Sequence, residues 1–255
     1  MPEAIEKIIK KLENGENALI MFVGDSITWG ENHCSSEETY CAEFARLIGK
    51  QFPEITVIRY DGIMQGGAMP LKCYSEPVTV QKGSEQTLTI VRSGVGGDTV
   101  RRALNRQQDY TGAFITGEMP DVFVAMFGIN DALAGDPSKF ILPDVFYSDL
   151  VEFCEVLEEK NAEAKIVLMT PTYNHSGKNE DDGLGAYADM VKKVAAEKGM
   201  QLIDTHKLWL EHLIVDSEHY GQREWLSNVE GDCCHFSPEG SCETAKFIFN
   251  CFMGL

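Results

Sequence analysis

The sequence predicts an α/β fold: a three-layer α/β/α sandwich with a mostly parallel central sheet. Short apolar runs alternate with amphipathic helical patterns along the chain, as they do in sheets covered by helices on both faces. The length of 255 residues is one that a single α/β domain commonly reaches. No internal repeat or composition shift marks a boundary, so we expect residues 1–255 to form one domain.

The first elements are predicted in the order helix, strand, helix, strand. Apolar residues at helical spacing within 5–12 predict an opening amphipathic helix. The apolar run ALIMFV at 18–23 predicts the first strand. A helix capped by Ser36 is then predicted to run to about residue 51, and the β-rich run ITVIRY at 55–60 predicts the second strand.

The second half of the chain repeats this alternation. It predicts strands at 121–128, 165–170 and 201–206, and helices at about 144–160, 184–198 and 238–252. Ser237-Pro238 supplies a cap and a first-turn proline for the last of these helices. In such sheets, ligand sites lie beyond the carboxyl ends of the strands, so the residues that follow each strand are the candidates for chemistry.

One segment departs from the alternation. Residues 77–91 contain two β-branched runs on either side of Lys82-Gly83-Ser84, which predicts a β-hairpin. The glycine-rich residues before it offer loop and turn chemistry and no second core. We therefore expect a β-hairpin insertion at about 61–92 within the single domain.

The charge balance bears on partners and location. The chain has 40 acidic and 22 basic residues, a net charge of −18, which repels phosphate backbones and anionic lipid surfaces. No apolar run approaches the roughly 20 residues that span a bilayer, and the first residues lack the order of a signal peptide. We expect no nucleic-acid or membrane partner, a preference for neutral substrates, and a cytoplasmic protein.

The eight cysteines do not suggest a disulfide scaffold in a chain of this length, and we expect most of them to be reduced. Cys233-Cys234-His235 could suggest a metal, but the sequence offers no matching Cys-x-x-Cys or His-x-x-x-His partner. We therefore expect no metal site.

Ser26 is the first candidate for chemistry. It follows the first predicted strand in Gly24-Asp25-Ser26, at the edge of the sheet where ligand sites gather. Taken alone, Ser26 is better explained as a turn or helix-capping residue.

Residues near three other strand ends favour a catalytic role for Ser26 over a turn or capping role. The glycine-rich turn within 92–100 can aim backbone N–H groups at an anion, and it lacks the Gly-x-Gly-x-x-Gly spacing of a dinucleotide site. Asn130 offers a side-chain amide that could donate to an oxyanion, with an ordinary Asn-Asp turn as the alternative. Asp232 lies three residues before His235, a spacing that lets a carboxylate orient an imidazole.

These four blocks, in this order, resemble those of the SGNH hydrolases, also called the GDSL esterase and lipase family. They are Gly-Asp-Ser at 24–26, SGVGGDT at 93–99, Gly-x-Asn-Asp at 128–131 and Asp-x-x-His at 232–235. Each block is short, but the four together extend over about 210 residues. The resemblance implies the flavodoxin-like SGNH-hydrolase fold.

The resemblance also implies a catalytic triad and an oxyanion hole. It makes Ser26 the nucleophile, His235 the base and Asp232 the residue that orients the base. The oxyanion donors would be the Ser26 backbone N–H, Gly97 and Asn130.

Two assignments leave alternatives open. The family's glycine block often begins with Asn, whereas Arg92 stands at the start of this region, and Gly97 is preferred to Gly96 because it directly precedes Asp98. Asp25, Trp29 and Trp225 are assigned to substrate binding, with core packing or a surface position as the alternative for either tryptophan.

The resemblance implies a serine esterase that works through an acyl-enzyme and needs no cofactor. Its expected substrates are small-molecule or oligosaccharide esters with short acyl groups, acetyl above all, on carbohydrate. A lipid-directed acylhydrolase, lysophospholipase or thioesterase with the same triad is the first alternative. A non-catalytic ligand-binding or scaffold protein on a hydrolase fold is the second, and a homo-oligomer is left open.

Overall fold

In the described part of the chain, seven strands form one sheet in the order β3-β2-β4-β1-β5-β6-β7, and every neighbouring pair is parallel except β2 with β3. The computed structural model describes residues 1–30, 34–63, 74–83, 85–106, 117–133, 136–173, 183–215, 224–227, 229, 232 and 234–255. The strands are β1 Ala18–Gly24, β2 Thr56–Asp61, β3 Val78–Gln81, β4 Thr87–Gly94, β5 Val122–Met126, β6 Lys165–Met169 and β7 Gln201–Ile203.

Helices cover both faces of this sheet. They are α1 Glu3–Glu13, α2 Ser26–Trp29, α3 Tyr40–Gln51, α4 Val100–Leu104, α5 Pro143–Lys160, α6 Gly185–Lys198, α7 Thr205–Val215 and α8 Pro238–Met253, with a 3-10 turn at Ser36–Glu38. None of the helices in the described ranges has the length and apolarity needed to cross a bilayer.

Strand β1 explains why the sheet is buried on both sides. Ile20 and Phe22 point into a core that α1, α3 and α8 complete. Leu19, Met21 and Val23 point into a second core that includes residues of α4, α5 and α6. Because successive side chains of a strand alternate between its faces, a strand that is apolar throughout must lie between two helical layers. The predicted three-layer α/β/α architecture is confirmed.

The predicted hairpin is wrong in its pairing. Strands β3 and β4 do not pair with each other, since β2 lies between them, antiparallel to β3 and parallel to β4. The connection between β3 and β4 crosses the residues that directly precede β2, where Glu85 N donates to Glu54 O at 3.2 Å. A Cβ on Gly83 would lie 2.2 Å from that same carbonyl oxygen, so this residue allows the backbones to cross.

The helix predicted from Ser36 begins later. Ser35 caps the short 3-10 turn through a capping box with Glu38. Thr39 then caps α3, accepting a hydrogen bond from Ala42 N at 3.3 Å. Two successive caps divide what the sequence pattern presented as one helix.

Candidate active site

Ser26 lies on a sharp turn between β1 and α2. Asp25 caps α2, its Oδ1 accepting a hydrogen bond from Ile27 N at 2.9 Å, and Gly30 ends the helix at a φ of 76°. The turn is tight: a Cβ on Gly24 would lie 2.3 Å from Thr28 Oγ1 and 2.6 Å from Met126 O. The strand therefore ends with the Ser26 side chain at the carboxyl edge of the sheet, as the sequence predicts.

His235 and Asp232 meet Ser26 at this edge. His235 Nε2 lies 2.8 Å from Ser26 Oγ, although 209 residues separate the two along the chain. His235 Nδ1 lies 3.1 Å from each carboxylate oxygen of Asp232. The three residues form a continuous hydrogen-bonded chain from carboxylate to imidazole to hydroxyl, the arrangement that activates a serine oxygen as a nucleophile.

The Asp232 carboxylate is suited to holding the imidazole. Burial opposes its ionisation, but hydrogen bonds from the N–H groups of Cys234 and His235, together with the imidazole, outweigh burial and lower the pKa of Asp232. The ionised carboxylate therefore favours the tautomer of His235 that carries its proton on Nδ1. In that tautomer, the lone pair of Nε2 faces Ser26 Oγ.

The segment around His235 is fixed by backbone pairing and by a helix cap. Ser227 N donates to His235 O and Ser237 N donates to Trp225 O, both at 2.8 Å. Ser237 Oγ then accepts from Gly240 N at 3.1 Å and caps α8. The imidazole is thus carried on a short, anchored segment whose position is set by the packing of α8.

Asn130 follows β5 and presents a buried amide. The residue is 5% exposed, and its Nδ2 is buried with no hydrogen-bond partner among the described residues. An unmade hydrogen bond at a buried donor costs about 1–3 kcal/mol, so such a donor is explained if a ligand atom completes it. An oxyanion formed next to Ser26 would be such a ligand.

The glycine loop between β4 and α4 packs directly against the Ser26 turn. A Cβ on Gly94 would lie 2.2 Å from Trp29 N and 2.7 Å from Asp25 O, so the two backbones are in contact. Gly97, further along the loop, has a φ of 69°, a conformation that glycine adopts without strain. The choice of Gly97 over Gly96 as an oxyanion donor stays a prediction.

Three buried carboxyl groups lie in these same motifs, and sequence reasoning gave a role to only one of them. Burial is the main cause that raises the pKa of Asp25 to about 8, of Asp131 to about 7 and of Asp98 to about 6. Asp131 and Asp98 raise the pKa of Asp25 further by repulsion. The sequence places each acid directly beside a predicted site residue, but a sequence motif does not show whether a side chain is buried.

Asp25→Asn is expected to reduce the loss of stability that accompanies rising pH. Above about pH 4 the unfolded chain ionises at Asp25, whereas the folded protein keeps the proton until about pH 8, so folding free energy is lost across that window. Between about pH 5 and about pH 7.5, wild-type protein should lose about 3 kcal/mol more than the variant. Asparagine Oδ1 can still accept from Ile27 N.

Urea unfolding at the two pH values measures this difference. Glu6→Gln, at a carboxyl on α1 that is paired with Lys10 and has 39% of its side chain exposed, is the control and should lose as much stability as the wild type. An equal loss in Asp25→Asn and wild type would show that Asp25 is already ionised in the folded protein.

The structure does not favour two of the three residues assigned to substrate binding. Asp25 is 2% exposed and its carboxyl group is engaged in capping α2. Trp225 is 8% exposed and stacks on His212 with ring centroids 3.6 Å apart. Trp29 is half-buried beside the nucleophile, with its Nε1–H donating to Gly62 O at 3.2 Å, and its assignment stays a prediction.

The cysteine-histidine motif also has an explanation without a metal. Asp232, Cys234 and His235 place possible ligand atoms within 4.8 Å of one another. However, the Asp232 carboxylate is already hydrogen-bonded to the His235 imidazole, and the imidazole is hydrogen-bonded to Ser26. No disulfide bond joins any two of the described cysteines. Cys73, Cys233, His33, His175 and His219 lie outside the described residues.

Comparisons with solved structures agree with this fold. The chain resembles an acetyl xylan esterase structure (TM-score 0.63, 21% identity, 91% of this chain and 98% of that one). It also resembles an acetylxylan esterase from Geobacillus stearothermophilus (TM-score 0.62, 22% identity, 92% and 94%). A third structure is a two-domain esterase active on acetylated mannans, co-crystallized with mannopentaose (TM-score 0.66, 17% identity, 98% and 52%), of which this chain spans about half.

Sequence comparison gives the family. No curated protein sequence matches the chain. The profile of the GDSL-like Lipase/Acylhydrolase family matches residues 74–241, more than half of the chain, a range that holds the glycine loop, Asn130 and the Asp232–His235 pair. The chain therefore belongs to the GDSL-like Lipase/Acylhydrolase family and is an ester hydrolase.

Proposed function

We propose that the protein is a serine esterase that removes short acyl groups, acetyl above all, from carbohydrate, with Ser26, His235 and Asp232 as its catalytic triad. The observation that carries the proposal is the 2.8 Å contact between His235 Nε2 and Ser26 Oγ, with Asp232 on the other side of the imidazole. This geometry is what a hydroxyl needs to lose its proton as it attacks a carbonyl carbon.

The proposed reaction begins with acylation of Ser26 and ends with hydrolysis of the acyl-enzyme. His235 Nε2 takes the Ser26 proton as Oγ bonds to the ester carbonyl carbon, and Asp232 stabilises the resulting imidazolium. When the tetrahedral intermediate collapses, the C–O bond to the alcohol breaks and His235 gives the proton to the leaving oxygen. Water, deprotonated by the same imidazole, then attacks the acyl-enzyme, which releases the carboxylic acid and restores Ser26.

The developing negative charge is met by donors that are in place before reaction. Asn130 Nδ2 has no hydrogen-bond partner among the described residues, so donating to the oxyanion breaks none of the hydrogen bonds that these residues form. The Ser26 backbone N–H and the Gly97 loop, which packs on the Ser26 turn, are the other donors in the proposal.

Acetylated carbohydrate is proposed as the substrate class because of the activities named for structures that share this fold. The acetyl xylan esterases and the mannan-active esterase named above share the fold over nearly the whole chain. The net charge of −18 also disfavours polyanionic substrates and membrane surfaces, which a lipid-directed enzyme would have to approach. A cytoplasmic location and a homo-oligomer stay predictions.

An ester panel tests the proposal. Aryl esters from acetyl to octanoyl, together with acetylated xylo- and manno-oligosaccharides, are compared in wild type and Ser26→Ala, and a serine-directed phosphonate reports the nucleophile. We expect Ser26-dependent release of acetate, with the acetyl ester preferred over longer acyl esters. Preference for long acyl chains would favour the lipid-directed or thioesterase alternative. Absence of both turnover and phosphonate labelling would favour the scaffold alternative.

A further inference from the structure

A lysine ammonium lies directly over the glycine loop of the site. A Cβ built on Gly97 would lie 3.3 Å from Lys139 Nζ and 3.6 Å from Lys139 Cε, so the end of the lysine side chain covers the Cα of this glycine. Lys139 is more buried than its neighbours Ser138 and Phe140, with 21% of its side chain exposed. The side chain is thus folded back onto the loop and is not extended into solvent.

The backbone around Lys139 is linked to both predicted oxyanion segments. Residues 136–141 continue from Asn130, and Ile141 N donates to Asp131 O at 3.1 Å while Lys139 N donates to Asp136 O at 3.0 Å. On the other side, Arg102 donates from Nη1 to Gly97 O at 3.2 Å and from Nη2 to Ser138 Oγ at 3.3 Å. The lysine therefore has a fixed position relative to the site.

The charge on Lys139 is weakly neutralised. Its ion-pair partner, Asp136, has its nearest carboxylate oxygen 3.7 Å from Nζ, longer than a hydrogen bond, and that carboxylate is bonded to Ser138. The guanidinium of Arg102 lies nearby and donates to Gly97 O and Ser138 Oγ, and it also interacts electrostatically with Asp98 and Asp136. With the Arg106–Asp98 pair included, three basic side chains face two carboxylates among these described residues, an excess of positive charge in a chain whose net charge is −18.

We propose that Lys139 binds a carboxylate carried by the substrate close to the ester, so that the natural substrate is an acylated carbohydrate with an acidic group. This inference rests on the proposed function, because it places the acyl group at Ser26. A carboxylate suits the site better than a phosphate does, since one ammonium compensates one negative charge and the surrounding acidic protein repels a dianion.

Matched esters test the inference. The probes are 3- and 4-acetoxybenzoate and the methyl ester of each, which share the acetyl group and differ in one negative charge. Wild type, Lys139→Gln and Lys139→Arg are compared by the ratio of kcat/KM for the anionic ester to kcat/KM for its neutral partner. Both kcat/KM values in a ratio come from the same preparation of one variant, so any unfolded fraction lowers both equally and cancels from the ratio.

For the isomer that the wild type handles best, we expect Lys139→Gln to lower this ratio about tenfold and Lys139→Arg to restore most of it. Added salt should lower the wild-type ratio and leave that of Lys139→Gln nearly constant. Lys165→Gln, at the amino end of β6 and paired with Glu3, is the matched control and should keep the wild-type ratio.

The two failures are distinguishable. An unchanged ratio in Lys139→Gln for both isomers, with hydrolysis still dependent on Ser26, overturns the inference alone. Equal losses of kcat/KM on anionic and neutral esters also overturn it, because the lysine would then act on the reaction and not on the substrate's charge. Hydrolysis that persists in Ser26→Ala overturns the proposed function and this inference together.

Discussion

Replacing Ser26 or His235 with alanine is expected to lower kcat for an acetyl ester by about 10⁵-fold or more. Ser26→Ala removes the attacking oxygen, and His235→Ala removes the group 2.8 Å away that takes its proton. The rate that remains should come from the oxyanion donors and from substrate binding. Initial rates with an activated aryl acetate, after removal of any contaminating esterase, measure both losses.

The double variant gives the sharper test. Ser26→Ala combined with His235→Ala should be no slower than either single variant, because the two side chains act as one unit. Losses that multiply would mean that the serine and the histidine act in separate steps. Ser148→Ala, at an exposed serine on α5 that donates to Asp144 O, should retain the wild-type rate.

Asn130→Ala is expected to lower kcat about 10²- to 10³-fold and to leave the fold intact. The Nδ2 atom has no hydrogen-bond partner in the described part of the chain, so its removal deletes no hydrogen bond that these residues provide. The free energy of unfolding should therefore stay the same or rise slightly. KM should change little, since the amide is expected to act on the oxyanion and not on the ground-state carbonyl.

A second substitution distinguishes the effect of the amide donor from the effect of side-chain size. Asn130→Asp keeps the size of the side chain but replaces the amide with a carboxylate, so at neutral pH it should lose at least as much activity as Asn130→Ala. Asn105→Ala, at the end of α4 where the amide donates to Arg101 O, serves as the control. An Asn130→Ala variant within tenfold of wild-type kcat would remove Asn130 from the oxyanion hole.

Much of the fold could be predicted because the pattern of burial is local. Strands β1, β5 and β6 are apolar on both faces, and such runs separated by helical patterns leave few architectures other than a covered parallel sheet. Ser26 and Asn130 come close for the same reason, since the carboxyl ends of parallel strands share one edge, whereas Asp232 and His235 reach that edge on the segment that precedes α8. Once Ser26 and Asn130 are placed at strand ends, the sheet brings their segments together.

The sequence could not predict features that depend on partners far along the chain. Two β-branched runs around Lys82-Gly83 look like a hairpin until β2 is known to lie between them, and no local signal contains that fact. The three buried acids and Lys139 were missed or misassigned for a related reason. A charged residue in a loop is usually solvated, and only the coordinates reveal that Asp131 is fully buried or that Lys139 lies over Gly97.

The 209-residue separation of Ser26 from His235 affects when catalysis can begin in a growing chain. At typical synthesis rates of about 5–20 residues per second, the serine leaves the ribosome roughly 10–40 seconds before the histidine. In the proposed mechanism, the hydroxyl has no base during that interval and is as unreactive as any surface alcohol. A nascent polypeptide that works in this way does not attack esters until α8 docks, and the onset of hydrolysis would report that docking.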